Sequence, residues 1–379
     1  MKITLMYAFL SEPGGIERVM KFQAQALQKA GHEVKLAFAY VDEKLKKEMF
    51  NDFEVMEYNK LPIKNETLQI STSILRTDYK KLKDSDLIIC HTFPSSYNCY
   101  KLLKKFKIPY ILHLHHPPKF LYDADLTWAK NDIKRKAAYF LVKNILRKPF
   151  QKLDNLAVKN AKTYFAASQS VAKKLKEVYD IKATVLYSTL NPEFKIKNFS
   201  KRDIAHFKIF DKFILFSGRV VQQKRIDWLI EAVSKLKDKK FQLVIAGIVA
   251  DKLKQELQKQ ADKEKVNIVF LGNLEVYELL KLYNLAELTI SICPNEGFGL
   301  SLVESIACGT PAISWNDGSG PTEIISEGKN GFLAKPYDID DLVKKIEKAL
   351  EKKWDKNVLV KSVEKFGEEK IAGKLLKNI

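Results

Sequence analysis

The chain has 379 residues, of which 46% are hydrophobic and 11% aromatic, and it carries a formal charge of +19. That length exceeds what one core usually holds, so it predicts two globular domains of roughly 150 to 200 residues and argues against a disordered chain. No apolar run reaches the roughly 18 residues a membrane-spanning helix needs, and Cys90, Cys99, Cys293 and Cys308 lack CxxC spacing, which favours buried free thiols over zinc or disulfides.

From the N-terminus, "KITLMYAF" is a short apolar run ended by Ser-Glu-Pro. It reads as a buried first strand rather than a secretory signal, so the expected location is cytoplasmic. Gly14 and Gly15 follow and open "IERVMKFQAQALQKAG", a stretch of helical period closed by a glycine suited to a C-cap. Next come the strand candidates "EVKLAFAY", "DLIICH", "PYILHLHH", "TYFAAS" and "TVLYS", spaced by helical segments. Short β-branched runs alternating with helices predict a parallel sheet with crossover connections.

His91 ends one of these strands, while His113, His115 and His116 crowd the end of another. His113 and His115 alternate with Leu112 and Leu114, and His116 faces oppositely, so one ion could not readily collect all three. No metal is expected there. The D-x-D triplets at Asp84, Asp123 and Asp338 carry little weight in so charged a chain.

Residues 101–182 hold 19 Lys or Arg against six Asp or Glu, +13 of the total charge. Within them, residues 128–162 carry ten Lys or Arg against two Asp, interleaved with Trp128, Tyr139, Phe140 and Phe150. Such a segment is either a solvated face or a surface for an anionic partner, and a basic helix with aromatics suits an anionic membrane. No zinc finger, recognition helix or aromatic RNA-binding strand motif accompanies it, so nucleic acid is not expected.

After residue 195 the alternation restarts with "KFILFSG", "FQLVIAG", "VNIVFLG", "ELTISIC" and "TPAISW". The prediction is an α/β chain of two doubly wound, Rossmann-like domains, 1–195 and 196–359, with a helix near 360–379 packing back on the first. Ligands of such sheets bind beyond the carboxyl ends of the strands, which points to a cleft between the halves. Arg219 and Lys224 leave the end of one strand in "LFSGRVVQQKRIDW", where they can converge on one anion. In "NEGFGLSLVESIACG", Gly297 and Gly299 bend the chain into a helix start, a cradle for an anion. Glu296 and Glu304 flank it, seven residues between them, and can each accept hydrogen bonds from paired hydroxyls. A dinucleotide fingerprint fails here, since Leu302 replaces its last glycine.

The run "GRVVQQK", "NEGFGLSLVE", "ACGTPAIS" and "GKNGFLAKP" resembles retaining glycosyltransferases of family 4, of GT-B fold, over essentially the whole chain. The resemblance implies that Arg219 and Lys224 hold the donor diphosphate, Glu304 the ribose hydroxyls and Glu296 the transferred sugar. Backbone groups of Gly297, Phe298, Gly299, Leu300 and Ser301 would line the phosphates or sugar, with Gly14 and Gly15 approaching donor or acceptor. His115 matches the family's strand-end histidine and would shape the sugar and acceptor site, beside His91 and Lys119. "HHPPKFLYD" is loosely similar to mannosyl-type members, with Lys119 for an arginine and Tyr122 for a tryptophan, which favours GDP-mannose. Where members often carry glycine after the lysine, this chain has Arg225.

The expected reaction is retaining transfer of a hexose from a nucleotide diphosphate sugar to a hydroxyl of a glycan or lipid-linked acceptor. It needs no cofactor and no metal, because Arg219, Lys224 and the turn amides supply positive charge where the leaving diphosphate develops negative charge. The alternatives are a nucleotide-sugar epimerase of the same fold and a non-enzymatic basic membrane- or nucleic-acid-binding protein. The basic segment predicts peripheral attachment to the cytoplasmic membrane face.

Overall fold

A computed structural model describes residues 1–11, 14–63, 66–122, 147–238 and 240–379. The chain forms two compact units: Met1–Ser188 with Ile371–Ile379, and Thr189–Lys370. Among the described residues no helix is long and apolar enough to cross a membrane.

The first unit holds a seven-stranded sheet, β1 (Lys2–Leu10), β2 (Glu33–Val41), β3 (Glu54–Glu57), β4 (Leu87–His91), β5 (Tyr110–Leu114), β6 (Thr163–Ala166) and β7 (Thr184–Val185). Their order is β3-β2-β1-β4-β5-β6-β7, and every neighbouring pair is parallel. Both faces are covered, which is why β4 and β5 are buried at all five positions instead of alternating with polar residues. Alternation sorts the side chains by face: Ile3, Leu5, Ile89 and Ile111 pack with helix α1 (Gly15–Lys29) through Met20, Ala24 and Leu27. Met6, Ile88, Cys90 and Leu112 turn to the other side with Cys99 and Leu102 of helix α2 (Ser95–Phe106). Helices α3 (Lys119–Tyr122) and α4 (Arg147–Lys159) follow β5.

The second unit repeats the plan with six strands, β8 (Phe213–Ser217), β9 (Gln242–Ala246), β10 (Ile268–Gly272), β11 (Leu288–Ile290), β12 (Ala312–Trp315) and β13 (Gly331–Ala334). Their order is β10-β9-β8-β11-β12-β13, again all parallel. Ile214 and Phe216 enter one core and Phe213 and Leu215 the other. In each sheet the winding reverses direction once, between β1 and β4 and between β8 and β11. Such a reversal leaves a crevice at the strands' carboxyl ends, because the two flanking connections depart to opposite faces.

The boundaries differ from the sequence expectation by a few residues. Leu190 and Phe194 pack in the second unit's core, and the Leu190 N–H donates to the Phe366 carbonyl over 2.9 Å, so residues 189–195 and 360–370 belong there. Only Ile371–Ile379 joins the first unit, where Ile371 and Leu375 of the last helix enter the core beneath β1 and β2. All four cysteines are buried and free.

Candidate active site

In the second unit, Gly218 leaves β8 with its N–H on the Ala246 carbonyl (2.9 Å), and Val220 N–H follows onto Ile248 (2.8 Å). Gly247 has φ +155°, and a Cβ there would lie 1.9 Å from the Gly218 carbonyl oxygen, so only glycine allows these strand ends to meet. Arg219 is exposed just beyond, and a single 3-10 turn, Gln222–Lys224, brings Lys224 back. Lys224 donates a short hydrogen bond to the Glu296 carboxylate, with both side chains partly exposed at 25% and 20%. Burial works against the Lys224 ammonium, but the Glu296 carboxylate outweighs it and holds the pKa above its ordinary value. Arg219, a like charge on the same strand-end loop, opposes that rise.

Arg225 answers its own departure from the family pattern. Its φ is +54°, a left-handed conformation that glycine adopts freely. The guanidinium stacks 3.7 Å above the Trp228 ring and bonds the Asp227 carboxylate at 2.6 Å, so it fastens the start of helix α5 (Ile226–Ser234) and is occupied there.

Beyond β11 the chain turns through Glu296, Gly297 and Phe298 into helix α7 (Leu300–Ala307), with α6 (Val276–Leu285) before it. Gly299, the N-cap, has φ +103°, a conformation that favours glycine. The leading N–H groups of a helix have no intrahelical acceptor, so Leu300 and Ser301 open an end suited to anions. Phe298 is buried, its ring edge-on to Phe366 at 5.2 Å, which fixes the turn from beneath.

A loop after β12 braces this turn, and the sequence reading passed over it. Asp317 accepts from the Asn295 N–H (2.9 Å) and the Ser319 N–H (3.0 Å), and Gly320 N–H donates to the Glu296 carbonyl (2.9 Å). The signal was present: "NDGSGP" directly follows a predicted strand.

Glu304, expected to meet ribose hydroxyls, is only 2% exposed and accepts from the Tyr283 hydroxyl of α6 at 2.9 Å. The two acids thus differ: Glu296 sits with the cations, Glu304 in a packed interior. Asp338 caps the helix Ile339–Glu351 by accepting from the Asp341 N–H, and Asp123 lies outside the described residues.

In the first unit, Gly14 precedes α1, and a Cβ on it would come 2.5 Å from a carboxylate oxygen of Glu17, while Gly15 has open space around it. Glu17 therefore stands beside the helix start that was expected to approach a phosphate. Lys119 is partly exposed at the head of α3.

His91, expected beside the acceptor, is fully buried, because it lies on the α1 face of β4 in register with His113 of β5. It bonds His115 (Nδ1 to Nε2, 3.1 Å) and Gln23 (Nε2 to Oε1, 3.0 Å). His116 turns away to its own neighbour, the Pro117 carbonyl, at 2.7 Å. The histidines that meet are thus His91, His113 and His115, their ligand atoms within 4.8 Å of one another. Burial lowers the pKa of all three, His115 to about 4, and neighbouring rings depress those of His91 and His113 further. Of the basic segment 128–162, residues 128–146 lie outside the described residues; in the remainder Lys148, Lys152 and Lys159 on α4 are exposed.

Residues 13–194 match the family described as Glycosyltransferase Family 4, and residues 200–370 the family described as Glycosyl transferases group 1. The chain belongs to the family 4 glycosyltransferases. The serotype-specific mannosyltransferase WbdA of Escherichia coli is 30% identical over 203 residues, which span 50% of this chain and 24% of that protein. The chain therefore matches about a quarter of that relative's length. The O-antigen chain mannosyltransferase C of Escherichia coli is 25% identical across 90% of this chain and 85% of its own. Among solved structures, Anabaena HepE in complex with UDP and glucose superposes with a TM-score of 0.77 at 17% identity, covering 100% of this chain and 98% of the other. Sucrose-phosphate synthase of Thermosynechococcus elongatus gives 0.80 at 18% identity with the same coverage. At such identities the likeness establishes the GT-B fold, two parallel-sheet Rossmann-like domains.

Proposed function

We propose that this glycosyltransferase moves a hexose, with retention at the anomeric carbon, from a nucleotide diphosphate sugar to a hydroxyl of a glycan or lipid-linked acceptor. The observation that carries this reading is the pairing of Lys224 with Glu296 across the carboxyl ends of β8 and β11, with Arg219 exposed on the same loop as Lys224. Two cations and a helix start suit a diphosphate, and the carboxylate beside them suits sugar hydroxyls. As the diphosphate leaves, negative charge grows on its oxygens, and fixed cations and amides stabilise that charge more than the ground state. This supply of positive charge makes a metal unnecessary. The departing phosphate takes the acceptor's proton, and His115 and Lys119 shape the acceptor side.

Similarity to mannosyltransferases supports mannose as the sugar, with GDP-mannose as donor, while a structural neighbour's complex with UDP-glucose keeps uridine donors in the screen. A thermal-shift screen of GDP-, UDP- and ADP-sugars names the donor by the ligand that raises the melting temperature. Arg219→Ala and Lys224→Ala each weaken that ligand about tenfold or more, the worth of a charge-assisted hydrogen bond of about 1.5–3 kcal/mol. Unchanged affinity would remove the diphosphate assignment, and conversion of the sugar without any acceptor would replace transfer by epimerisation.

The exposed lysines of α4 support cytoplasmic membrane-surface attachment to anionic lipids. Reversing Lys148, Lys152 and Lys159 to Glu then releases the protein from phosphatidylserine vesicles in flotation; retention on them speaks against this attachment.

A further inference from the structure

Four side chains in the first unit form a single chain of hydrogen bonds whose direction can be worked out from one end. Leu186 offers a backbone carbonyl, which can only accept, so His113 Nε2 at 3.2 Å must carry a proton. A neutral His113 then has its lone pair on Nδ1, and the group facing it at 2.9 Å, Gln23 Nε2, donates. That fixes the Gln23 amide with its oxygen toward His91 Nε2 at 3.0 Å, so His91 donates there. Neutral His91 keeps its lone pair on Nδ1, and the proton between His91 and His115 belongs to His115 Nε2, 3.1 Å away. Gln23, His91 and His113 are at most 1% exposed, and His115 is the one partly exposed member.

We propose that Gln23, His91 and His113 act as positioning residues, a relay anchored on the Leu186 carbonyl that holds His115 as its Nε2–H tautomer and leaves Nδ1 as a hydrogen-bond acceptor. The ligand would be a hydroxyl of the sugar or the acceptor, donating to that nitrogen; this last clause rests on the glycosyl-transfer reading. Burial lowers each ring, and neighbouring rings lower His91 and His113 further. Neutrality is thereby favoured in each, since any imidazolium would be buried and unpaired.

Chelation is the competing use of three histidines. A tetrahedral zinc at about 2.0–2.1 Å sets its ligand nitrogens about 3.4 Å apart. Here the three span up to 4.8 Å, and both His113 nitrogens already have partners.

The chain has six histidines, so histidine-selective 15N labelling gives six rings in a long-range proton–nitrogen spectrum. Substituting His32, His116 and His206 by Gln identifies the remaining three, and His115→Asn identifies the last. We expect all three as Nε2–H tautomers, unchanged between pH 5.5 and 8. An Nδ1–H form at His115, ordinary titration near pH 6.5, or a joint shift of the three rings with one equivalent of Zn2+ would each overturn the relay. Gln23→Met is a second arm: without the amide nothing dictates which His91 nitrogen carries the proton, so His91 and His115 should become mixtures of tautomers while His113 keeps its Nε2–H on the Leu186 carbonyl. If His91 and His115 stay pure Nε2–H tautomers, Gln23 is not the link; if the variant does not fold, the wild-type spectrum still decides. Adding the donor found by thermal shift, with and without acceptor, should move the His115 Nδ1 signal. Relay tautomers together with no sugar transfer would keep the relay and remove the functional reading.

Discussion

Glu296 and Glu304 share one motif but meet different surroundings, and the difference sets what each can do. Glu296 is partly exposed and paired with Lys224, where water screens the pair and limits its worth to stability to about 1 kcal/mol or less. Its use is positional, holding an ammonium that stays charged across physiological pH. Glu304 is enclosed, and removing it takes a charged acceptor from the buried Tyr283 hydroxyl. Glu304→Ala should therefore cost about 1.5–3 kcal/mol in urea unfolding, the worth of a hydrogen bond to a charged group. Glu304→Gln still offers an oxygen to Tyr283 and should stay within about 1 kcal/mol of wild type. If Glu304 also takes ribose hydroxyls, Glu304→Gln loses roughly tenfold in nucleotide affinity, the weight of a charge-assisted hydrogen bond. Calorimetry showing full affinity in a stable Glu304→Gln protein would leave this residue a purely structural role.

At the scale of elements, the turn before α7 depends on a second loop pressed against it. A Cβ on Gly320 would lie 2.4 Å from Phe298 Cα and 2.6 Å from its carbonyl oxygen, and backbone cannot swing aside as a side chain can. Gly320→Ala should displace the turn, costing about 1–3 kcal/mol as overpacking does, and weaken donor binding more than a distant change of equal cost. Gly373→Ala is the control: it sits within the helix Glu368–Leu376 with nothing within 4 Å, and should stabilise by about 0.5–1 kcal/mol. Equal donor affinity in both variants would show that the brace does not matter. The strands and the two glycine turns were legible because parallel sheets write continuous apolar runs, and because positive φ and close approach select glycine. The loop that carries the Asp317 brace was marked by "NDGSGP", but what it braces was not legible, since its contacts are to backbone and leave no periodic mark. The histidine cluster was half legible: His91 and His113 end neighbouring strands on one face, but Gln23 comes from α1, 68 residues from its His91 partner. Arg225 was visible as a departure, yet only the ring of Trp228 explains where its charge goes.

Across the whole molecule, buried titratable groups are distributed unequally, and pH should expose this. His91, His113 and His115 lie in the first unit with pKa values held below their ordinary value by burial. The unfolded chain binds their protons near pH 6.5 and the folded chain does not, so the stability they contribute is complete above that pH. It is lost as pH falls from about 6.5 to about 4 for His115, and further for the two deeper rings. Each group contributes a slope of about 1.4 kcal/mol per pH unit, hence about 4 for the three. Asp154 acts oppositely: burial raises its pKa to about 6, so the folded form regains about one such share as pH falls from 6 toward 3.8. Glu57, also raised by burial, works in the same direction. Three shares against one firm opposing share leave a net loss of roughly 3 kcal/mol per pH unit, enough to unfold a domain of ordinary stability within a few units. The second unit contains only His206, which is exposed. Amide exchange, corrected for intrinsic rates, should therefore lose protection in residues 1–188 between pH 7 and pH 5 while residues 189–370 hold theirs. Even loss across both units, or full protection of the first at pH 5, would mean that the three rings already accept protons in the folded state, and the neutral cluster at the ends of β4 and β5 would have to be abandoned.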